Sequence, residues 1–340
     1  MLSLQYMNLN TLLKHTSRSL YLSVKMLPPS VRPAFGLAYL LCRYADTIAD
    51  TSVLSPDRRI YWIQQFPQIV QTQDATKQEE LVKALTGASA NPYETQLISH
   101  LDDCLQALNH ISSRQRNFIN EVVQAVCEGM KIDLMKFPHE KNAPIHAFML
   151  DTDLTHYCRL MGGKPGHFWS QLIFHSQPVV ETKSIFYGWG EQIGDALQIV
   201  NILRDLPKDL QQGRCYFPQT DLEKYGLKTT DLLCAENSSK FNVIKNKWIA
   251  WGKQNLTVGP SYYAAIPKKA WRMRAAVAWP MLWTADTFIK LHKTPDLLNP
   301  QKRVKISRLR VYLTMLVTPL VLFSNRLFEK WLARKLKQLP

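Results

Sequence analysis

Apolar residues recur about every 3.6 positions over long stretches of the chain, which is the period of an amphipathic helix. Glycine is scarce, at 13 of 340 residues, and the 19 prolines lie between the periodic stretches. This pattern disfavours a sheet-rich sandwich or barrel, which needs many short strands and frequent turns. We therefore predict an all-α protein, in which 46% apolar residues are enough to fill a substantial core.

The breaks in the helical period divide the chain into predicted elements. A helix opens near Val31, after a turn at Leu27–Pro29, and ends on Asp46–Asp50. The polar, glutamine-rich stretch Gln71–Glu80 is predicted to be an exposed loop. The other predicted helices cover Pro56–Val70, Asn91–Asn109, Ser112–Leu134, Asp151–Ser176, which is disturbed around Gly162–Gly166, and Ile185–Asp209.

The end of the chain combines an apolar stretch with a basic one. Val311–Phe323 is apolar but has only 13 residues, too few for a membrane-spanning helix, so we expect it to be core or interfacial. Asn325–Leu339 has the pattern of a basic amphipathic helix, which could lie on an anionic membrane or form a solvated surface. We predict one helical domain over residues 1–323 and a basic amphipathic tail over residues 324–340.

The net charge of +15 is concentrated near the C-terminus. Residues 1–240 contain 23 Lys and Arg against 24 Asp and Glu, whereas residues 241–340 contain 19 against 3. Such asymmetry indicates a polyanionic partner: nucleic acid, anionic lipid or a phosphorylated substrate. We expect no nucleic-acid partner, because the chain has no helix-turn-helix, zinc-finger or RNA-binding signature.

Two pairs of aspartates stand four residues apart in helical contexts, Asp46 with Asp50 and Asp205 with Asp209. Both carboxylates of such a pair project from one helix face, where like charges repel. One pair on an exposed face would be ordinary, but two pairs in apolar helices need a counter-charge. Mg²⁺ suits this task, since it takes one or two carboxylates and completes its shell with water and phosphate oxygens. Pro207 makes the helical spacing of the second pair less certain.

Further polar residues accompany the two pairs. Asn201 and Gln198 extend the second pair into a stripe along one helix face. Arginines adjoin both pairs and suit bidentate contact with phosphate, although each could instead form a surface ion pair with its neighbouring aspartate: Arg43, Arg204 and Arg214. Paired carboxylates beside arginines favour a site for a diphosphate held with Mg²⁺.

These residues lie in two longer motifs that resemble the squalene/phytoene synthase family. The first is Thr16-Ser-Arg-Ser-Leu-Tyr-Leu, followed by Leu37-Ala-Tyr-Leu-Leu-Cys-Arg-Tyr-Ala-Asp-Thr-Ile-Ala-Asp-Thr. The second is Leu197-Gln-Ile-Val-Asn-Ile-Leu-Arg-Asp-Leu-Pro-Lys-Asp-Leu-Gln-Gln-Gly-Arg-Cys-Tyr-Phe-Pro. The resemblance covers roughly residues 10–315.

The resemblance implies a type I isoprenoid synthase fold, in which a central cavity joins two prenyl diphosphates head to head with Mg²⁺. The positions that match the family's metal ligands are Asp46, Asp50, Asn201, Asp205 and Asp209. Those that would bind substrate are Ser17, Arg18, Arg43, Gln198, Asn201, Arg204, Arg214 and Tyr263. Tyr39 matches a tyrosine that assists proton movement near the reacting carbons, so the implied catalytic set is Tyr39 and the four aspartates.

The family contains enzymes with and without a reductive step, and two segments favour the reductive branch. Tyr262–Pro267 resembles the A-I-P stretch of squalene synthases, and Lys302–Arg308 resembles their basic segment near the phosphates of NADPH. The resemblance therefore implies NADPH bound by Lys305 and Arg308, without a Rossmann motif. Phytoene and dehydrosqualene synthases, which lack the reduction, are the alternative.

One departure keeps the product open. Leu160 stands where the family often has a functional tyrosine, so either Tyr157 or Tyr39 fills that role or the second step is altered. We expect farnesyl diphosphate as substrate, although the sequence does not separate it from the C20 homologue. The N-terminus has no unbroken apolar segment of a signal peptide, so we expect a cytoplasmic enzyme, peripherally associated with the membrane through its basic C-terminal segment. The oligomeric state stays open.

Overall fold

A computed structural model describes residues 11–16, 24–88, 91–137 and 143–340. Almost all the regular structure in these ranges is helical, so the all-α prediction is confirmed. The chain forms two compact units, residues 1–135 and residues 136–340.

In the described ranges, the first unit contains six helices of between 8 and 24 residues, besides the helical residues 11–16 and 24–26. Pro33 lies in the first turn of the helix that carries Asp46, where its missing N–H costs no hydrogen bond. The ring of Tyr44 from this helix stacks on Phe66 of the next, with 5.2 Å between centroids. The helices are α1 (Arg32–Asp50), α2 (Pro56–Thr72), α3 (Ala75–Ala84), α4 (Pro92–Ser99), α5 (Leu101–Leu108) and α6 (Ser113–Lys136).

The predicted loop at Gln71–Glu80 is wrong, because most of this stretch belongs to α2 and α3. Gln73 ends α2 in the left-handed conformation, with a φ of 56°. Asp74 then starts α3 by accepting a hydrogen bond from the backbone N–H of Lys77 at 3.1 Å. The polar composition reflects the exposed side of α3, whose Leu81 is fully buried. The helix predicted over Asn91–Asn109 is likewise divided into α4 and α5.

The second unit is organised by one 29-residue helix, α9, which packs against five other α-helices of the unit. Its elements are β1 (His146–Ala147), α7 (Asp151–Cys158), α8 (Lys164–Ser176), α9 (Lys183–Gln211), β2 (Arg214–Cys215), α10 (Gln219–Lys224), α11 (Ser238–Leu256), α12 (Gly259–Ala265), α13 (Trp271–His292), α14 (Arg308–Val321) and α15 (Asn325–Leu336). Two short 3₁₀ turns, Thr229–Leu233 and Ala235–Asn237, precede α11.

A π-helical turn, Arg159–Gly163, separates α7 from α8 and confirms the predicted disturbance. Here the backbone contacts α9 directly: a Cβ atom at Gly162 would overlap the carbonyl oxygen of Gly194, and one at Gly166 would overlap that of Gly190. Gly162 and Gly166 are four residues apart, as are Gly190 and Gly194 on α9, so each pair lies on one face of its element and the two faces meet. The glycines therefore set how closely the turn and α8 approach α9.

The structure contains two short strands that the sequence analysis did not predict: β1 precedes α7, and β2 follows α9. β1 and β2 pair in parallel, with His146 opposite Arg214 and Ala147 opposite Cys215. The pairing fixes the chain immediately after α9, and it thereby positions Arg214.

The C-terminal helix α15 packs within the second unit, against α12 and α13. Phe328 is fully buried and stacks on Tyr263 with 4.0 Å between ring centroids. Lys335 forms a buried ion pair with Asp286, which also accepts two hydrogen bonds from Arg310 at 3.0 Å. The boundary after residue 323 stays a prediction. Within the described ranges, we find no helix that has both the length and the apolar content to cross a bilayer.

The glycine contact predicts opposite effects for two substitutions in α9. Gly194→Ala places a methyl group against the backbone of Gly162, so we expect it to destabilise the protein by about 1–3 kcal/mol. Gly188→Ala is the matched control, because its methyl group would meet no described atom within 4 Å and alanine favours a helix by about 1 kcal/mol. Thermal unfolding followed by circular dichroism measures both, and equal midpoints would contradict the close contact.

Candidate active site

The first acidic pair lies at the C-terminal end of α1. Tyr39, Arg43, Asp46 and Asp50 are three or four residues apart and therefore share one face of this helix. Arg43 donates a hydrogen bond from Nη1 to Asp46 Oδ2 at 3.2 Å, and its Nη2 forms an ion pair with Glu94 of α4. The Tyr39 hydroxyl donates to the carbonyl oxygen of Thr16 at 2.9 Å. The structure thus brings these four predicted residues together.

The carboxylates on this face of α1 carry negative charge that Arg43 only partly balances. Burial, followed by the negative charges of Asp50 and Glu94, raises the pKa of Asp46 to about 7, although Arg43 opposes the shift. The Asp46 side chain nevertheless keeps 40% of its surface exposed, so a ligand can reach it. A single arginine does not fully balance the carboxylates of this face.

The second acidic pair lies on α9, which continues through Pro207 to Gln211. The helical spacing that Pro207 made uncertain is therefore present, and Gln198, Asn201, Asp205 and Asp209 form one stripe. Arg204 donates to both oxygens of Asp205, from Nε at 3.0 Å and from Nη2 at 2.5 Å. The side chain of Asp205 is 45% exposed.

Arg214 reaches the far end of this stripe from β2. Its Nη2 lies 3.3 Å from Asp209 Oδ1, and both side chains are largely buried. The strand pairing holds the backbone of Arg214 opposite His146. The ion pair with Asp209 therefore depends on this pairing as well as on the short distance between the two residues along the chain.

A third group of charged residues, which the sequence analysis missed, continues the α9 stripe toward its N-terminus. Arg159 of the π turn donates to Asp195, with its shortest hydrogen bond at 2.7 Å, and also to Glu191 at 2.9 Å. Glu191 further accepts from Lys164 at 2.8 Å and pairs with His167 Nδ1 at 3.1 Å. The signal in the sequence was the spacing, since Glu191 and Asp195 stand seven and three residues before Gln198.

Leu160, which stands where the family often has a tyrosine, and the neighbouring Tyr157 are both buried. Leu160 lies in the π turn and is 8% exposed. The ring of Tyr157 stacks on Tyr216, with 5.0 Å between centroids, and contacts Phe148 at 5.8 Å. Tyr157 therefore belongs to an aromatic cluster of the second unit, whereas Tyr39 lies beside the acidic pair of α1.

The remaining predicted residues lie elsewhere. Tyr263 is fully buried in α12, where its hydroxyl donates to the carbonyl oxygen of Val321 at 3.2 Å, so its contact with substrate stays a prediction. Lys305 and Arg308 are exposed at the start of α14, and the Lys305 carbonyl accepts from Lys290 at 2.6 Å. Ser17 and Arg18 lie outside the described residues.

The donor set of each acidic pair fits Mg²⁺ shared with a diphosphate. Among the described residues, no group of three or more acidic, histidine or cysteine side chains could enclose a metal ion by itself. Mg²⁺ usually takes one or two carboxylates and keeps oxygen ligands from water and phosphate, and each pair offers such carboxylates. In addition, Arg43 Nε is buried and finds no hydrogen-bond acceptor among the described residues, which suits an anionic ligand at this face.

Comparison with known proteins shows the family to which the chain belongs. The sequence profile of the squalene/phytoene synthase family matches residues 13–310, which include both acidic stripes. The chain belongs to the squalene/phytoene synthase family. The family resemblance predicted from the two motifs is thereby confirmed.

Curated relatives within the squalene/phytoene synthase family differ in reaction. The chain is 27% identical to a squalene synthase of Schizosaccharomyces pombe over 67% of its own length and 47% of that protein. It is 29% identical to a presqualene diphosphate synthase of Zymomonas mobilis, over 62% of this chain and 60% of that one. It is also 29% identical to a bifunctional lycopene cyclase/phytoene synthase of Arthroderma gypseum, over 70% of this chain and 38% of that protein. The chain thus spans about half the length of the relatives it matches.

Solved structures show the fold of the family. The chain is similar to TcSQS in complex with a ligand, with a TM-score of 0.75 and 17% identity over 97% of this chain and 95% of that one. It is also similar to a dehydrosqualene synthase in complex with a ligand, with a TM-score of 0.66 and 17% identity over 95% and 98%. The expected isoprenoid synthase fold is therefore confirmed.

The Arg159 network predicts a pH-dependent contribution to stability. The hydrogen bond from His167, followed by Lys164 and Arg159, lowers the pKa of Glu191 from 4.5 to about 2. A carboxylate with a lowered folded-state pKa stabilises the fold above about pH 4.5 and loses that contribution as the pH falls toward 2. We expect Glu191→Gln to lower the free energy of unfolding at pH 7 by on the order of 2–3 kcal/mol.

Urea unfolding of wild type and Glu191→Gln between pH 7 and pH 3 measures this contribution. The stability difference should shrink as the pH falls below 4.5, because the Glu191 carboxylate of the unfolded state takes up a proton there, whereas that of the folded state stays ionised until about pH 2. A difference that stays constant over this range would show that the carboxylate charge is not what Arg159 and Lys164 recognise.

Proposed function

We propose that this protein condenses two molecules of farnesyl diphosphate head to head, through presqualene diphosphate, and reduces the product to squalene. The observation that carries the proposal is the pair of acidic stripes, one on α1 and one on α9, each with an arginine bound to an aspartate. The squalene synthase and presqualene diphosphate synthase among the relatives support the same chemistry.

The acidic residues would hold Mg²⁺ together with the diphosphates. The proposed ligands are Asp46, Asp50, Asn201, Asp205 and Asp209. When bound, Mg²⁺ neutralises diphosphate charge and stabilises the group as it leaves. Arg43, Arg204 and Arg214, which pair with Asp46, Asp205 and Asp209 in the structure, would turn their guanidinium groups to phosphate oxygens as the metal replaces them.

The proposed chemistry begins when the allylic C–O bond of one farnesyl diphosphate breaks and its electron pair leaves with the diphosphate. The double bond of the second molecule attacks the resulting carbocation, and loss of a proton closes the cyclopropane. Tyr39 would assist this proton transfer, and its position on the same face of α1 as Asp46 and Asp50 supports that role.

The second step would need a reductant. NADPH, when bound, supplies a hydride to the rearranged carbocation that forms when the second diphosphate leaves. Lys305 and Arg308 are exposed cations that would bind its phosphates. The described sheet consists of two-residue strands, so such a site would not use a doubly wound nucleotide-binding fold.

A phytoene or dehydrosqualene synthase is the alternative function. Leu160 favours it, because the π turn presents an aliphatic side chain where many family members have a tyrosine. A phytoene synthase domain also occurs among the relatives. In this alternative, the cations near Lys305 only balance charge.

The cytoplasmic location stays a prediction of the sequence.

The metal assignment predicts that Asp50→Asn and Asp205→Asn each lower diphosphate release by at least about a hundredfold, because each removes a charged ligand of Mg²⁺. Release is measured with farnesyl diphosphate and Mg²⁺ by a coupled phosphate assay. Asp57→Asn is the matched control, since Asp57 is exposed in the first turn of α2 and outside both stripes. Wild-type activity in Asp50→Asn or Asp205→Asn would show that the corresponding carboxylate is not a ligand.

The reductant assignment predicts a selective effect of Lys305→Gln/Arg308→Gln. We expect the KM for NADPH in the conversion of presqualene diphosphate to rise about tenfold, since two phosphate contacts are lost. Release of diphosphate in the first condensation should stay unchanged. Lys268→Gln/Lys269→Gln removes two exposed charges from the same unit and serves as the control. Equal effects of the two double variants would reject the assigned NADPH contacts.

A further inference from the structure

Helix α14 exposes a continuous apolar face. Leu316 is 75% exposed and Leu320 is 73% exposed, although both are large aliphatic side chains. The opposite face is buried through Thr314, Thr318 and Val321. The exposed side chains recur every three or four residues and form one stripe: Leu309, Tyr312, Leu313, Leu316, Val317, Leu320 and Phe323. Contiguous exposed apolar surface of this kind marks a binding surface.

The face is held in place by the rest of the second unit. Trp279 of α13 donates from Nε1 to Thr318 Oγ1 at 2.8 Å, and Tyr263 donates to the Val321 carbonyl oxygen. Arg310 is anchored to Asp286 by two hydrogen bonds at 3.0 Å. Because these contacts all lie on the inner side of α14, the apolar stripe is presented outward on a fixed helix.

The length of α14 decides how it could meet a bilayer. Its 14 residues extend about 21 Å, which is shorter than the roughly 30 Å of the hydrocarbon core. A helix of this length with one apolar face lies in the membrane interface with its axis parallel to the surface.

The charge around the stripe identifies the partner. Residues 302–337 contain ten Lys and Arg but only one acidic residue, Glu329. Lys302 and Arg303 are exposed before α14, and Arg326 and Lys330 are exposed after it. Cations at both ends of an apolar stripe match the arrangement of anionic headgroups above acyl chains. A second copy of the chain would bring the same positive charges together.

The sequence assigned membrane contact to the tail at residues 324–340, but the apolar side of that segment is already occupied. Phe328 and Leu332 of α15 are fully buried, and Leu336 is 8% exposed. The segment can therefore offer cations to a membrane, but of its large apolar residues only Leu327 is exposed, and Phe328, Leu332 and Leu336 pack within the protein.

We infer that the protein binds an anionic lipid bilayer through the apolar stripe of α14, with the flanking cations on the lipid headgroups. This surface shares no residue with the acidic stripes of α1 and α9. Lipid binding can be measured without substrate, so its failure is distinguishable from failure of the proposed reaction.

Co-sedimentation with vesicles tests the inference on the full chain. Wild type should bind vesicles that contain phosphatidylglycerol, and Leu316→Glu/Leu320→Glu should need at least about tenfold more lipid, since two exposed leucines that would enter the bilayer are replaced by charges that the anionic surface repels. Val180→Glu/Leu233→Glu is the matched control, because it places the same charges at other exposed apolar sites of the second unit and should bind as wild type does. Circular dichroism and diphosphate release should be unchanged in both double variants.

Three results would overturn the inference. The first is binding of Leu316→Glu/Leu320→Glu at the wild-type lipid concentration. The second is equal wild-type binding to vesicles of phosphatidylcholine alone, which would remove the role of the cations. The third is a wild-type dimer in light scattering that Leu316→Glu/Leu320→Glu converts to a monomer, which would assign the stripe to a second copy of the chain.

Discussion

The repulsion between carboxylates one helical turn apart is the constraint on which the site depends. Asp46 and Asp50 on α1, and Asp205 and Asp209 on α9, would destabilise their helices if nothing balanced their charge. The structure shows partial compensation by arginines: Arg43 on the first stripe, and Arg204 and Arg214 on the second. The same arginines suit a diphosphate. In the proposed function, these arginines would exchange their ion pairs with the aspartates for contacts with phosphate when metal binds.

The backbone around α9 supports that arrangement. Glycines at Gly162 and Gly194 let the π turn contact the helix directly, and the turn delivers Arg159 to Asp195 and Glu191. These ion pairs lie on the same face of α9 as Gln198 and Asp205. The contact therefore fixes both the position of α9 and the charge at the N-terminal end of its polar stripe.

The sequence predicted the parts of the structure that depend on local pattern. Helical periodicity located α1 and α9, and the spacing of Asp46, Asp50, Asp205 and Asp209 placed each pair on one helix face. Gln71–Glu80 was misassigned because its polar composition concealed a cap at Asp74 and a buried Leu81. Composition alone does not show which polar residues begin a helix.

Other features depend on contacts between distant residues, which a single sequence does not reveal. The β1–β2 pair joins residues nearly seventy positions apart, and Arg159 meets Asp195 across 36 positions. Likewise, the sequence pattern of α14 is apolar and that of α15 is amphipathic. In the structure α15 buries Phe328 and Leu332, whereas α14 exposes Leu316 and Leu320, and neither pattern shows this difference. For the same reason, the sequence predicts a diphosphate site from local spacing, whereas the final product depends on packing around the substrate.

Mass spectrometry of the product formed from farnesyl diphosphate and Mg²⁺, with and without NADPH, tests the proposed reductive condensation. We expect squalene only when NADPH is present, and presqualene diphosphate when it is absent. A desaturated C30 hydrocarbon in both reactions would contradict the reductive step and assign the protein to the non-reductive branch. The absence of any condensed product would contradict the proposed use of farnesyl diphosphate itself.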